Sequence, residues 1–291
     1  MYNSISELIG TAEKLNRKIS EIILADQAVL LCKSEEELLN EMTEKLHIMM
    51  ESVRTGMNSK LKSASGLVGG DAHKIIEASK KGKLVGGALF EIAIAKAVAV
   101  AEVNACMGKI VAAPTAGSCG IIPAVLLSVM EDKKFSEKDI AMTLFTAAGI
   151  GMVIANRSTL SGAEGGCQAE CGSASAMAAA ALVELIGGDT RMISNACAIS
   201  LKNIMGLVCD PVAGLVEVPC IKRNAGGVAN AMTAANLAIA GIESVIPADE
   251  VIDAMASVGR LMSITLKETA EGGLAATKTG RDIFGRLKNI K

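Results

Sequence analysis

The chain has 291 residues, of which 51% are hydrophobic and only 2% aromatic, with no tryptophan and a formal net charge of −2. Such a length buries a full core as one large domain or two modest ones, and apolar content carried by Ala, Ile, Leu, Val and Met favours close-packed helices over a β-sandwich. Neither the basic field nor the aromatic stacking platforms of a nucleic-acid binder are present, so no nucleic-acid partner is expected.

The N-terminal MYNSISELIGTAEKLNRK carries acidic residues and lacks the compact apolar run of a secretion signal. Ser4 with Glu7, and Ser34 with Glu37, have capping-box spacing and predict two amphipathic helices. Ile5, Leu8 and Ile9 recur at helical intervals in the first, as do Leu15, Ile19, Ile22 and Ile23 farther along. Leu84 to Val103 is apolar but interrupted by Glu91, Lys96 and Glu102. Ser136 with Asp139 opens a helix to about Asn156, and its uncharged part from Ile140 falls just short of the ~18 residues of a span. Asn224 to Ile242 is uncharged for longer, yet Asn224, Asn230, Thr233 and Asn236 make it a poor solute in lipid. These three segments read as buried helices of a soluble protein, and no membrane partner is expected. Pro247 begins a last strong helix, with Asp249 and Glu250 in its first turn. Alternating patterns are almost missing and no Asn-Gly hairpin occurs. The expected fold class is all-α, one compact helical domain in which residues 1–60 form a helical N-terminal extension and residues 61–291 the continuous helical body.

Five glycine-rich connections hold the polar chemistry: Ser63 to Lys74, Ala113 to Pro123, Asn156 to Ser173, Cys209 to Gly227 and Lys267 to Arg281. Glycine ends helices, but loops on a rigid scaffold are also where sites are built.

Eight cysteines are distributed along the chain. Without a secretion signal the expected compartment is the reducing cytoplasm, where no disulfide framework is expected. Cys32, Cys106 and Cys197 lie in apolar helical stretches and read as small core residues. Cys119, in a glycine loop, is open to either reading. Cys167, Cys209 and Cys220 each stand at a Gly- or Pro-containing turn beside a helix boundary, 42 and 11 residues apart. They are packing residues or ligands. If ligands, three thiolates without a convincing fourth leave one coordination position open, as in catalytic sites, and soft sulfur suits zinc or an iron–sulfur cluster. Bare glycine backbone could then approach the group and donate to its sulfurs.

The segments GAEGGCQAECGSASAMAAAA, MGLVCDPVAGLVEVPCIKRN, APTAGSCGIIPAV and SGLVGGDA together resemble the iron–sulfur-dependent L-serine dehydratases, more narrowly the α subunit of the two-subunit bacterial form. The resemblance runs from about Ser63 to Ala276. It implies deamination of L-serine to pyruvate and ammonia, with a 4Fe–4S cluster on Cys167, Cys209 and Cys220 and one iron not bound by a protein cysteine. The iron would act as a Lewis acid on the substrate hydroxyl and carboxylate without redox change. Cys171 is not a ligand by this resemblance. Single-chain members carry a further domain with an SSSHT-like motif, and some an ACT-type regulatory domain; neither is found here, so a separate β subunit is expected. Some members also end in a cysteine after GGLA, whereas Gly272 to Ala275 is followed here by ATKTGRDIFGRLKNIK.

The base is expected from the partner's SSSHT-like motif, with His73 and Lys62 as candidates on this chain and His47 as a surface residue. Arg223, Lys222 and Lys62 are candidates for the substrate carboxylate, and Thr115 and Ser118 for hydrogen bonds to substrate or for capping the next helix. Two other classes compete: a pyridoxal-phosphate dehydratase, which needs a Schiff-base lysine in an α/β fold, and a non-catalytic helical partner subunit with inert cysteines.

Overall fold

The computed structural model describes residues 2–58 and 60–288. Helix α1 (Ile5–Leu15) starts where Ser4 Oγ accepts from Glu7 N and the Glu7 carboxylate accepts from Asn3 N. After α2 (Ile19–Leu31), a reciprocal box of Ser34 and Glu37 opens α3 (Glu35–Asn58). Next come α4 (Asp71–Lys80), α5 (Ala88–Ala105) and α6 (Ile121–Lys133). The Ser136–Asp139 box opens α7 (Glu137–Arg157). A single turn, α8 (Gly162–Gly165), leads through a π-helical turn at Gln168–Gly172 into α9 (Ser173–Leu185). The rest comprises α10 (Thr190–Asn203), α11 (Cys220–Ile239), α12 (Ala248–Leu261) and α13 (Lys278–Lys288). Among the described residues there is no strand, and a lone parallel bridge joins Cys209 to Lys267. The all-α expectation holds.

Helix α9 is the axis of the molecule. Every residue of SASAMAAAALVEL is buried, and α6, α7, α10 and α11 pack around it. Alanine makes this possible, because short side chains let helices approach on all sides without cavities. Glycine closes the tightest crossings. A Cβ on Gly56 of α3 would come within 2.2 Å of the Ala99 carbonyl oxygen on α5, and one on Gly227 of α11 would reach 2.4 Å from Ile121 Cδ1. Fully buried isoleucines such as Ile140, Ile150 and Ile154 fill the remaining space; truncating one to alanine costs about 2–5 kcal/mol.

The N-terminal helices feed this same core through Ile5, Leu8, Ile19, Ile23 and Leu46. Asp249, expected only to complement the α12 dipole, also accepts from Ile5 N and Ser6 Oγ and so ties α1 to α12. Helix α7 is long and apolar enough to cross a membrane, but 67% of its apolar window is buried against other helices. Two cysteines depart from the core reading. Cys32 ends α2 in the left-handed region, at φ 52°, and is exposed; Cys106 ends α5 half-buried. Both occupy the last turn, where an apolar helix leaves the core. Cys197, in mid-helix, is buried.

Candidate metal centre

All five glycine-rich connections meet at one end of α9 and α11. The π-helical turn after Cys167 stacks Cys167 and Cys171 on one face, with their sulfurs 3.3 Å apart. Single π turns inside helices recur at functional sites. Gln168 locks this turn: its N–H donates to Leu207 O, its amide nitrogen to Gly165 O and Met255 O, and its amide oxygen accepts from Gly206 N. Cys209 is fixed by backbone on both sides, its N–H donating to Leu266 O and its carbonyl accepting from Glu268 N. Cys220 is the first residue of α11, where unpaired N–H groups and the helix dipole favour negative charge.

The remaining loops are tied in by buried polar groups. Asn224, wholly buried on α11, accepts from Gly120 N and donates to Gly117 O and Cys220 O. Thr115 Oγ1 donates to Glu170 Oε1 and lies 3.0 Å from Ser118 Oγ. Glu217 accepts from Ser63 and Ser65, and Lys222 pairs with Asp71, which docks the 63–71 loop beside the 212–219 turn. Arg223 donates to Val208 O and, at 2.7 Å, to Asp210, whose other oxygen accepts from Leu274 N in the GGLA segment.

Electrostatics bind the cysteines into one unit. The hydrogen bond shared with Cys171 and the charge of Arg223 together hold the Cys167 thiol below its ordinary range despite burial. Cys171 is pushed up by that bond and by burial. Burial, then the neighbouring Cys167 and Glu170, raises Cys220 to about 12, and burial with Cys167 raises Cys209 further. Burial also raises the Glu170 carboxyl, against the bonds from Thr115 and the Gly117 N–H.

Among the described residues no three His, Cys, Asp or Glu side chains are grouped to share a single metal ion. Cys167, Cys209 and Cys220 are all buried, and soft sulfur donors of this kind suit zinc or an iron–sulfur cluster. Gly162 leaves the Cys209 sulfur bare, since a Cβ there would stand 3.0 Å from it. On these grounds the donor set of Cys167, Cys209 and Cys220 fits an iron–sulfur cluster.

The expected site residues divide. Thr115, Ser118 and Arg223 belong to the network around the cysteines, though Thr115 bonds Glu170 and Ser118 is fully buried. Neither caps α6, whose first turn has no side-chain cap. His73 and Lys62 are both exposed and outside the network, and His47 is an exposed partner of Glu137. Cys119 is core. Sequence reasoning missed Gln168, Glu170, Asp210 and Asn224. No parallel sheet of a pyridoxal-phosphate fold is present among the described residues.

The family model described as "Serine dehydratase alpha chain" matches residues 14–275. The chain is 49% identical to the "Probable L-serine dehydratase, alpha chain" of Bacillus subtilis (strain 168), over 99% of this chain and 95% of that one. It is 44% identical to the "L-serine dehydratase, alpha chain" of Peptoniphilus asaccharolyticus, over 97% of each. The "L-serine dehydratase" of Streptomyces coelicolor is 38% identical over 94% of this chain, which covers 60% of that longer protein.

Proposed function

The chain belongs to the serine dehydratase alpha chain family, and we propose that it deaminates L-serine to pyruvate and ammonia, a step of amino-acid degradation. In this reading Cys167, Cys209 and Cys220 hold a 4Fe–4S cluster, and one iron keeps no protein thiolate. What supports it is that three buried cysteines, 42 and 11 residues apart in sequence, sit in segments joined by hydrogen bonds: Gln168 N–H to Leu207 O, Arg223 to Val208 O and Asn224 to Cys220 O. When bound, such a cluster supplies Lewis acidity toward the substrate hydroxyl and carboxylate.

The chain's own residues prepare the site. Arg223 and the Cys171 thiol hold the Cys167 thiol below its ordinary range, which favours the thiolate form that a ligand needs. Asp210 fixes Arg223 and the GGLA segment together, which holds the Cys209 loop in place. Glu170 keeps its proton to higher pH than an ordinary carboxylic acid, because burial disfavours its charge, so it can donate or hold a proton at Oε. Thr115 and Ser118 orient that carboxyl. The acceptor of the serine Cα proton is assigned to a separate β subunit, since His73 and Lys62 stand exposed outside the network. A second chain also accounts for the length of the longer relative. The aminoacrylate released by dehydration tautomerises to an imine and hydrolyses in water.

The test is anaerobic expression with the candidate partner, followed by iron and sulfide analysis and a serine deamination assay. Cys167→Ser, Cys209→Ser and Cys220→Ser should each lose iron and activity together, while Cys197→Ser keeps both. Full iron content in any of the first three overturns the ligand assignment. Equal turnover by the lone chain and the mixture overturns the split site.

A further inference from the structure

Away from the cysteines, α3, α5 and α6 line a cavity of about 560 Å³ that is open to solvent. Its walls are Met50, Val53 and Met57 of α3, Ile92 of α5, and Leu127 and Met130 of α6. Flexible, polarisable thioethers adapt to the shape of what they contact, and the volume is that of a small-molecule site. Lys96 of α5 also lines this cavity, and it is only 2% exposed.

The pairing of that lysine is incomplete. Its Nζ forms an ion pair with Glu131 Oε1 at 2.7 Å, and among the described residues no other acceptor reaches it. An ammonium has three donors to satisfy. Burial pulls the Lys96 ammonium below the usual lysine range, with Glu131 opposing. Glu131 itself is 59% exposed, a solvated side chain at the mouth. The other charges lie on the exposed rim and are already engaged: His47 with Glu137, and Arg54 with Glu51. The charged feature of the cavity interior is therefore Lys96, with Glu131 beside it at the mouth. Methionine or leucine would fill this core position without the cost of desolvating a charge, so the lysine calls for an acceptor.

We propose that this cavity binds a small amphipathic carboxylate, its aliphatic body against the methionines and its carboxylate on the Lys96 ammonium in place of Glu131. A neutral apolar molecule would gain the walls but not the ammonium, and an amine would meet like charge. The site is independent of the cysteine centre and of the activity assigned to it.

The test is calorimetric titration of the full chain with octanoate, octanol and octylamine, with thermal melting to verify folding. Octanoate should bind saturably and more weakly as salt rises, octanol about tenfold less tightly for want of a charge-assisted bond, and octylamine not at all. Lys96→Met keeps the chain length and leaves Glu131 in water; in it octanoate should bind no better than octanol. Glu131→Gln removes the internal competitor and should tighten octanoate, which decides the matter even if Lys96→Met fails to fold. Absence of saturable octanoate binding, equal affinity in wild type and Lys96→Met, or weaker binding in Glu131→Gln overturns the assignment.

Discussion

Replacing Arg223 with methionine tests whether the ion pair beneath the cysteine loops holds the site together. Arg223 and Asp210 lie 2.7 Å apart with side chains 16% and 4% exposed, so neither partner is well solvated. Deleting one member of a buried pair costs about 3–5 kcal/mol, because the other charge is left desolvated. Asp210 retains the Leu274 N–H as a donor, which places the expected loss near the lower end. A loss of about 3 kcal/mol in a chain of this length lowers the melting midpoint by roughly 6 °C. The assay is urea unfolding of the metal-free chain under reducing, anaerobic conditions, comparing midpoints at constant slope. Asp210→Asn keeps an acceptor for Leu274 and should cost less, about 2 kcal/mol for a lost charged hydrogen bond. The double variant Arg223→Met with Asp210→Leu should recover part of the loss, since an apolar pair carries no stranded charge. A cost for Arg223→Met below about 1 kcal/mol would refute the reasoning, because it would mean that water already screens the pair.

Gly56→Ala should destabilise by at least about 1–3 kcal/mol through overpacking, since its Cβ meets the rigid Ala99 carbonyl. Gly10→Ala, in open space on α1, should stabilise by about 0.5–1 kcal/mol; equal effects in urea melts would show that contact with α5 is not what separates them. Ser136→Ala removes the acceptor for Asp139 N and should cost about 1 kcal/mol, read as a lowered melting midpoint. Burial raises the Glu102 carboxyl above its usual value of 4.5, against the N–H bonds of Asp71 and Ala72. The folded state therefore binds more protons there, and wild-type stability should fall as pH climbs from about 4.5 through the raised folded value. Glu102→Gln should lack that slope and gain on wild type as pH rises; parallel pH profiles would contradict this. If one iron lacks a protein thiolate, air should remove it with the activity, and ferrous iron with a reductant should restore both. Full activity after prolonged aeration would count against the cluster.

Helix boundaries were legible where a side chain completes them locally. The boxes at Ser34 and Ser136 form and Ser4 caps α1, with Glu7 reaching back to Asn3 N, because the cap and its partner lie within one turn and need nothing from the rest of the fold. The status of Cys32 was not legible, since its stretch is apolar and only the exit of α2 into solvent decides its exposure. Residues 1–60 look like an extension by charge, yet the apolar stripe of α1 and α2 runs into the α9 core. Composition averages over faces, whereas burial is decided face by face.

The same distinction governs the site. Three cysteines at glycine turns stood out because thiols are scarce and their setting unusual. Glu170 did not, although Cys167, Glu170 and Cys171 are spaced i, i+3 and i+4 and so share one helical face. That spacing predicts a carboxyl beside the sulfurs, and Glu170 is the charged residue lying between two cysteines in an otherwise uncharged run from Gly165 to Ala181. What no local pattern contains is its partner: Thr115 lies 55 residues earlier, and Asn224 reaches Gly117 across 107. Such contacts follow from the packing of α9 against α6 and α11, which alanine and glycine permit without naming the residues that will meet. The polar network is therefore a product of the close packing, and the features that made the sequence look plain, its runs of Ala and Gly, are what bring the chemistry together.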